Sequence, residues 1–214
     1  MSEINFFNVD CVEFMKTKPD NYYDLAIVDP PYGIGASSTT NTQGKNRKKR
    51  IEPKYAKKDW DNERPNKEYW FELKRVSKNQ IVFGANYFVD YLGITKGWIF
   101  WNKKNGCPSF SDGEFIYTSF DKVSKMHTLS SVVGCNGGID RFHPTQKPVD
   151  LYRWILQNYA EKGMKVLDTH GGSMTNAIAC DIEEFNLDIC EIDSDYYKNG
   201  VQQYQQYKRQ GVLF

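Results

Sequence analysis

An apolar run, Leu25-Ala26-Ile27-Val28, stops at Asp29-Pro30-Pro31-Tyr32-Gly33, and that stop constrains the fold more than any other stretch of the chain. Apolar residues without polar alternation make a strand buried on both faces, which belongs in a parallel sheet with helices on either side. Two consecutive prolines supply no N–H to continue the ladder, so the chain must leave the sheet at Pro30. Asp29 and Tyr32 are thereby expected at the carboxyl edge of a central strand, where open α/β sheets build their ligand sites.

The remaining text supplies the other elements of such a sheet. Ile4–Asn8 reads as a short strand and Val12–Lys16 as helical, with Asp10 at the junction between them. Asp10 suits a helix cap and a ligand contact equally well. Asn66 is placed to cap a helix over Lys67–Val76, in which Trp70, Leu73 and Val76 recur at helical spacing. Gln80–Gly84 reads as a strand, Tyr87–Leu92 as a short helix, and Gly97–Trp101 and Glu114–Thr118 as two strands that could pair as a hairpin. After Pro148, Leu151, Ile155, Leu156 and Tyr159 give an apolar face to Val149–Ala160.

The last third runs strand Lys165–Asp168, tight turn, helix Met174–Glu183, strand Asn186–Glu191 and amphipathic helix Asp195–Arg209. Strands alternating with helices of this length predict an α/β fold with a parallel, three-layer sheet. A chain of 214 residues suits one domain, 1–214, with a basic polar insertion at about 34–65 and a polar, Gly-rich region at about 119–142.

A second constellation follows the strand Lys165–Asp168. Asp168 opens a turn with Gly171, Gly172 and Ser173, and Glu191 closes the next strand. Glycines allow close backbone approach to a ligand, and an acid about 20 residues further on accepts hydrogen bonds from ribose hydroxyls, the layout of a nucleoside-cofactor site. The third glycine of a dinucleotide fingerprint is missing, and a glycine turn after a strand also occurs as a plain tight turn.

With both constellations in place, the chain resembles the S-adenosylmethionine-dependent DNA methyltransferases that modify N6 of adenine or N4 of cytosine. Asp29-Pro30-Pro31-Tyr32 matches that family's catalytic tetrapeptide, and Val166 to Ser173 resembles its cofactor turn. His143-Pro144-Thr145-Gln146-Lys147-Pro148 is similar to the segment before that turn. Cys190-Glu191-Ile192-Asp193 with Tyr196-Tyr197 is similar to the acidic strand end and helix after it, and Trp98 to Phe120 to the middle of some phage and bacterial members. The catalytic turn precedes the cofactor turn, as in the circularly permuted beta-class, which implies a Rossmann-like methyltransferase fold with a mostly parallel central sheet. Thr169-His170 departs from the family's Pro-Phe, and Met174 stands where a second glycine is usual.

The resemblance implies catalysis by Asp29, Pro30, Pro31 and Tyr32. Asp29 and the Pro30 carbonyl would accept the hydrogens of the target amine, and Tyr32 would stack on the extruded base. It places Asp168, Gly171, Gly172 and Ser173 near the methionine part of the cofactor, Glu191 at the ribose and Asp10 near the adenine ring. Thr145, Gln146 and Lys147 match the segment near the methionine carboxylate. His170 reads as a structural turn residue. Asp at the first position of the tetrapeptide points to N6 of adenine. N4 of cytosine is the nearest alternative, and a nucleic-acid-binding relative without turnover, motivated by Met174, is the alternative from another class. A nicotinamide-dependent oxidoreductase would explain Glu191 but not Asp29–Tyr32.

The net charge of +1 provides no global field for binding a polyanion, so DNA must meet a local patch. Lys45, Arg47, Lys48, Lys49 and Arg50 read either as a solvated face or as a flap whose cations meet phosphates. The polar region at about 119–142 is expected to read the DNA target, and its shortness suggests a homodimer sharing the DNA. Five cysteines and three histidines without a Cys-x-x-Cys pair favour reduced thiols and no metal site. No apolar run approaches a membrane span and Met1–Asn5 lacks a signal-peptide layout, so a cytoplasmic protein is expected.

Overall fold

The computed structural model describes residues 2–35, 61–104, 111–130 and 146–211. Within them the strands are β1 (Ile4–Phe7), β2 (Tyr23–Val28), β3 (Ser77–Val82), β4 (Trp98–Asn102), β5 (Gly113–Thr118), β6 (Lys125–Thr128), β7 (Lys165–Asp168) and β8 (Asn186–Cys190). The α-helices are α1 (Cys11–Lys16), α2 (Lys67–Val76), α3 (Val149–Tyr159), α4 (Thr175–Ile182) and α5 (Ser194–Gly211). One sheet contains all eight strands in the order β1-β8-β7-β2-β3-β5-β4-β6. From β1 to β3 every pairing is parallel, β5 is antiparallel to both β3 and β4, and β6 is parallel to β4.

Alternate residues of β2 explain why its sequence shows no polar face. Leu25 and Ile27 pack with Leu151, Ile155 and Leu156 of α3 and Ala177 of α4 on one side of the sheet. Ala26 and Val28 pack with Phe14 and Met15 of α1 and Tyr69, Trp70, Leu73 and Val76 of α2 on the other. Every side chain from Leu25 to Val28 is fully buried. At about 25 cal/mol per Å² of apolar surface removed from water, this double-sided strand is the centre of the core.

Caps fix the helix starts. Asp10 accepts from the Val12 and Glu13 amides at 2.8 and 3.1 Å, and Asn66 from the Tyr69 amide at 3.1 Å. Two expectations need correction. Tyr87–Leu92 is not a helix: a single 3₁₀ turn, Ala85–Tyr87, follows Gly84, whose φ of 59° sets up a sharp turn. Part of the region read as a polar loop, about 119–142, is sheet, because β6 adds a strand at the edge beside β4; residues 131–142 lie outside the described residues. No described helix is long and apolar enough to cross a membrane.

Candidate active site at the carboxyl edge

Strand order, not chain order, assembles the site. β7 lies between β8 and β2, with Leu25 opposite Val166 and Ala26 opposite Leu167. Connections lead away in opposite directions from this pair, toward β8 and β1 on one side and β3 on the other, so it forms the topological switch point of the sheet. Consecutive parallel strands β1, β8, β7 and β2 are followed or ended by Asp10, Glu191, Asp168 and Asp29, one acid for each strand. The two constellations, more than 130 residues apart in the sequence, therefore face each other across neighbouring strand ends.

The turn after β2 is held by a residue that the sequence did not single out. Asp61, buried to 1%, accepts from the amides of Tyr32 at 2.7 Å and Gly33 at 3.0 Å. Gly33 has φ 71° and backs onto Arg64, whose Cγ would stand 3.0 Å from a Cβ at that position. The Tyr32 ring stacks on Tyr87 at 5.0 Å between centroids and meets Phe88 edge-on. Its other support is Gly84, where a Cβ would stand 2.3 Å from the ring, so glycine is required under Tyr32 for sterics as well as for its positive φ.

Asp29 is largely withdrawn from water, its side chain 17% exposed. Its Oδ1 lies 2.6 Å from the Tyr32 hydroxyl, and its Oδ2 accepts from the ammonium of Lys147. The same hydroxyl lies 2.9 Å from Glu114 Oε1, Lys147 Nζ lies 3.4 Å from that oxygen, and Lys103 Nζ lies 2.8 Å from Glu114 Oε2. Two carboxylates, two ammonium groups and one phenol thus close a network in which Lys147 is 5% exposed. Burial raises Asp29 above the usual carboxylate range, against the opposing pull of Lys147. Burial also pushes Glu114 upward, but Lys147 and Lys103 outweigh it and hold that carboxyl down at about 2. For Lys147, burial disfavours the charge while Asp29 and Glu114 more than restore it.

Glu114 and Lys103 reach this edge because β5 runs antiparallel to β3, with Val82 opposite Tyr117. The beginning of β5 and the end of β4 therefore lie beyond the carboxyl end of β3. Sequence reading ties sites to strand carboxyl ends, and Glu114 sits at an amino end. The acid in an otherwise apolar strand, next to Phe115 and Ile116, was the available signal.

The turn after β7 is built from buried polar contacts. Asp168 accepts from Asn176 Nδ2 at 2.9 Å and the His170 amide at 3.0 Å, and burial pushes its carboxyl up to about 7. Glu191 accepts from the Gly172 amide and the Asp193 amide, each at 2.8 Å, so it braces the turn as well as facing the edge. Ser173 is buried and lies 3.4 Å from the Thr175 hydroxyl. Thr169 Oγ1 lies 2.8 Å from both the Tyr69 hydroxyl and His170 Nδ1, linking α2 to the turn. Burial lowers His170 to about 4, so the ring is neutral.

Met174 adopts φ 57°, the left-handed conformation that glycine usually supplies. Its side chain lies between two glycines: a Cβ at Gly171 would stand 2.6 Å from Met174 Sδ, and one at Gly200 of α5 would stand 2.3 Å from Met174 Cγ. The missing side chains of Gly171 and Gly200 make the space that Met174 fills, and the turn keeps its shape with methionine in the glycine position.

The edge is rich in acceptors. Asp10, Asp168 and Glu191 suit a ligand bearing hydroxyls and a positive centre, as a sulfonium nucleoside does. Gln146 Oε1, next to Lys147 in the chain, is buried with no hydrogen-bond partner among the described residues. Thr145 and the basic residues Lys45, Arg47, Lys48, Lys49 and Arg50 lie outside the described residues. Among the described residues no group of His, Cys, Asp and Glu is placed to hold a metal ion.

No protein-family model matches the chain. In sequence it is 25% identical over 218 residues to the type II methyltransferase M2.MboI of Moraxella bovis, an alignment covering 82% of this chain and 78% of that one. The chain is similar in sequence to a DNA-modifying methyltransferase over most of its length. Its fold agrees with a crystal structure of an M1.HpyAVI–SAM complex, at a TM-score of 0.65 and 19% identity, covering 94% of this chain and 98% of the other. It also agrees with the PvuII DNA methyltransferase, described as cytosine-N4-specific, at a TM-score of 0.62 and 14% identity, covering 95% and 87%. The Rossmann-like methyltransferase architecture expected from the motif order is therefore the architecture found.

Proposed function

We propose that the chain is an S-adenosylmethionine-dependent DNA methyltransferase of the permuted beta-class, acting on N6 of a flipped-out adenine. The observation that carries this reading is the pairing of β2 with β7, which sets Asp29-Pro30-Pro31-Tyr32 beside the Asp168–Ser173 turn. Bound at that turn, the cofactor would supply an electrophilic methyl group on a sulfonium. The Asp168, Glu191 and Asp10 carboxylates would hold it, with Thr145 and Gln146 as further contacts implied by the family pattern; Lys147 of the same segment is instead bound to Asp29.

The chain's own residues account for the other half of the reaction. An exocyclic amine is a weak nucleophile because its lone pair is delocalised into the ring. Acceptance of its two hydrogens by Asp29 and the Pro30 carbonyl favours a more tetrahedral nitrogen and stabilises the positive charge that grows on it. After the nitrogen–carbon bond forms, the surplus amine proton passes to Asp29, whose burial raises its proton affinity. Tyr32, backed by Gly84 and Tyr87, offers the base a ring fixed in orientation, and much of the rate derives from positioning. Flipping the base costs a few kcal/mol, which contacts from Lys45–Arg50 and from the region at about 119–142 would offset. A homodimer would extend that grip.

Asp at the first position of the tetrapeptide supports adenine. The likeness to a cytosine-N4-specific fold keeps N4-cytosine as the second reading. Incubation with unmodified DNA and methyl-labelled cofactor, followed by digestion to nucleosides, separates them. N6-methyladenine is the expected product; labelled N4-methylcytosine would replace the adenine assignment, and DNA binding without label would leave an inactive relative.

A further inference from the structure

The proposed reaction needs Asp29 as an acceptor, and in the structure each of its oxygens already holds a strong donor. One oxygen takes the Tyr32 hydroxyl and the other takes Lys147. An arriving amine competes with both donors for the carboxylate, and binds it best when one of them yields. Lys147 is 5% exposed, so it cannot be released into water, and an ammonium left unpaired at that depth would be strongly destabilising. The displaced groups need a second anion within reach.

Glu114 meets that requirement for both. Its Oε1 stands 3.4 Å from Lys147 Nζ and 2.9 Å from the Tyr32 hydroxyl. The hydroxyl has one proton, so it serves Asp29 or Glu114 at any moment. Lys103 at 2.8 Å from Oε2 keeps Glu114 ionised, as do the same lysines that hold its carboxyl low. Resting on the methyltransferase reading, we propose that Glu114 is a positioning residue: it receives the Lys147 ammonium and the Tyr32 hydroxyl when Asp29 turns to the target amine. The hand-over needs only small side-chain movements, because donor, old acceptor and new acceptor already touch.

Such a role predicts a loss confined to turnover. Glu114→Gln keeps the shape but not the charge, so Lys147 stays on Asp29 and competes with the amine. At saturating cofactor kcat should fall about tenfold or more, while the dissociation constant for S-adenosylhomocysteine stays close to wild type. Glu114→Asp, which restores the anion, should recover most of kcat. Lys147→Met should cost less in the Glu114→Gln background than in wild type, since the two residues act on one event. A merely structural glutamate would instead lower cofactor affinity along with turnover, in both Glu114 variants. Retention of kcat within about twofold in Glu114→Gln, or strict additivity with Lys147→Met, would overturn the proposal. Absence of methyl transfer by the wild-type protein would count against the methyltransferase reading itself, a separate outcome.

Discussion

Replacing Gly200 by alanine sets helix propensity against packing. Gly200 lies within α5, where alanine is favoured over glycine by roughly 1 kcal/mol. Propensity alone therefore forecasts a more stable protein. Packing forecasts the reverse, because the added Cβ would stand 2.3 Å from Met174 Cγ and 3.1 Å from Gly172 O. Overpacked interiors lose about 1–3 kcal/mol, and Met174 is poorly placed to yield: it is fully buried and its backbone is already left-handed. The balance is a net loss of about 1 kcal/mol, or roughly 2–4 °C in melting temperature for a chain of this size. The strain falls on Gly172 and Met174, so S-adenosylhomocysteine should bind more weakly as well. In a Met174→Gly background the space is empty, and the same alanine should become stabilising. Thermal melts of the four combinations read this change of sign. A higher melting temperature for Gly200→Ala in the wild-type background, or the same sign in both, would refute the packing argument.

Asp29→Ala should cut methyl transfer by roughly 10²–10³-fold or more while S-adenosylhomocysteine binding, measured by calorimetry, changes little. Tyr69→Phe removes the hydroxyl on Thr169 and should cost about 1 kcal/mol in urea unfolding, with weaker cofactor binding because the turn after β7 loses its tie to α2. Two groups in that turn give opposite pH dependences. Asp168, raised by burial from 3.8 to about 7, keeps a proton in the fold that the unfolded chain releases, so its contribution to stability falls as pH rises through that window. His170, lowered by burial from 6.5 to about 4, refuses a proton that the unfolded chain takes up, so its contribution rises with pH over much of the same window. Urea unfolding of His170→Gln should therefore lose stability more steeply between about pH 4.5 and 7 than wild type, and an unchanged slope would contradict the burial argument.

The half of the site contributed by parallel strands was legible in the sequence for a physical reason. A strand buried on both faces is largely apolar, so an acid at its end stands out, as Asp29 and Asp168 do; β8 also carries the buried Asp188, held by the Tyr23 hydroxyl, ahead of Glu191. Asn66 and Pro148 gave correct helix starts because caps and first-turn prolines act locally. What depends on pairing between distant strands was not legible. Glu114 and Lys103 enter through an antiparallel turn of the sheet, and nothing local announces that the start of β5 lies beside Asp29. Asp61 acts through backbone amides 28 and 29 residues earlier. The segment after Gly84 has helix-forming text, but the positive φ of that glycine and the aromatic packing of Tyr87 and Phe88 around Tyr32 limit it to one 3₁₀ turn. Met174 could not be judged from its own position, since the space it occupies is created by Gly200.

β1 pairs with β8, joining Ile4 to Leu187 and Phe7 to Cys190. Asn5 and Asp188, bonded across this pair, are 183 residues apart in sequence, so the pairing closes a long loop. Loop-closure entropy makes such distant pairing slow. The β2–β3 side pairs nearer segments, so the edge carrying Asp10 and Glu191 is expected to form later. A ligand that binds this late edge would act as a folding aid: it would capture the final docking of β1 onto β8 and slow its reopening, so refolding yield should rise with cofactor concentration.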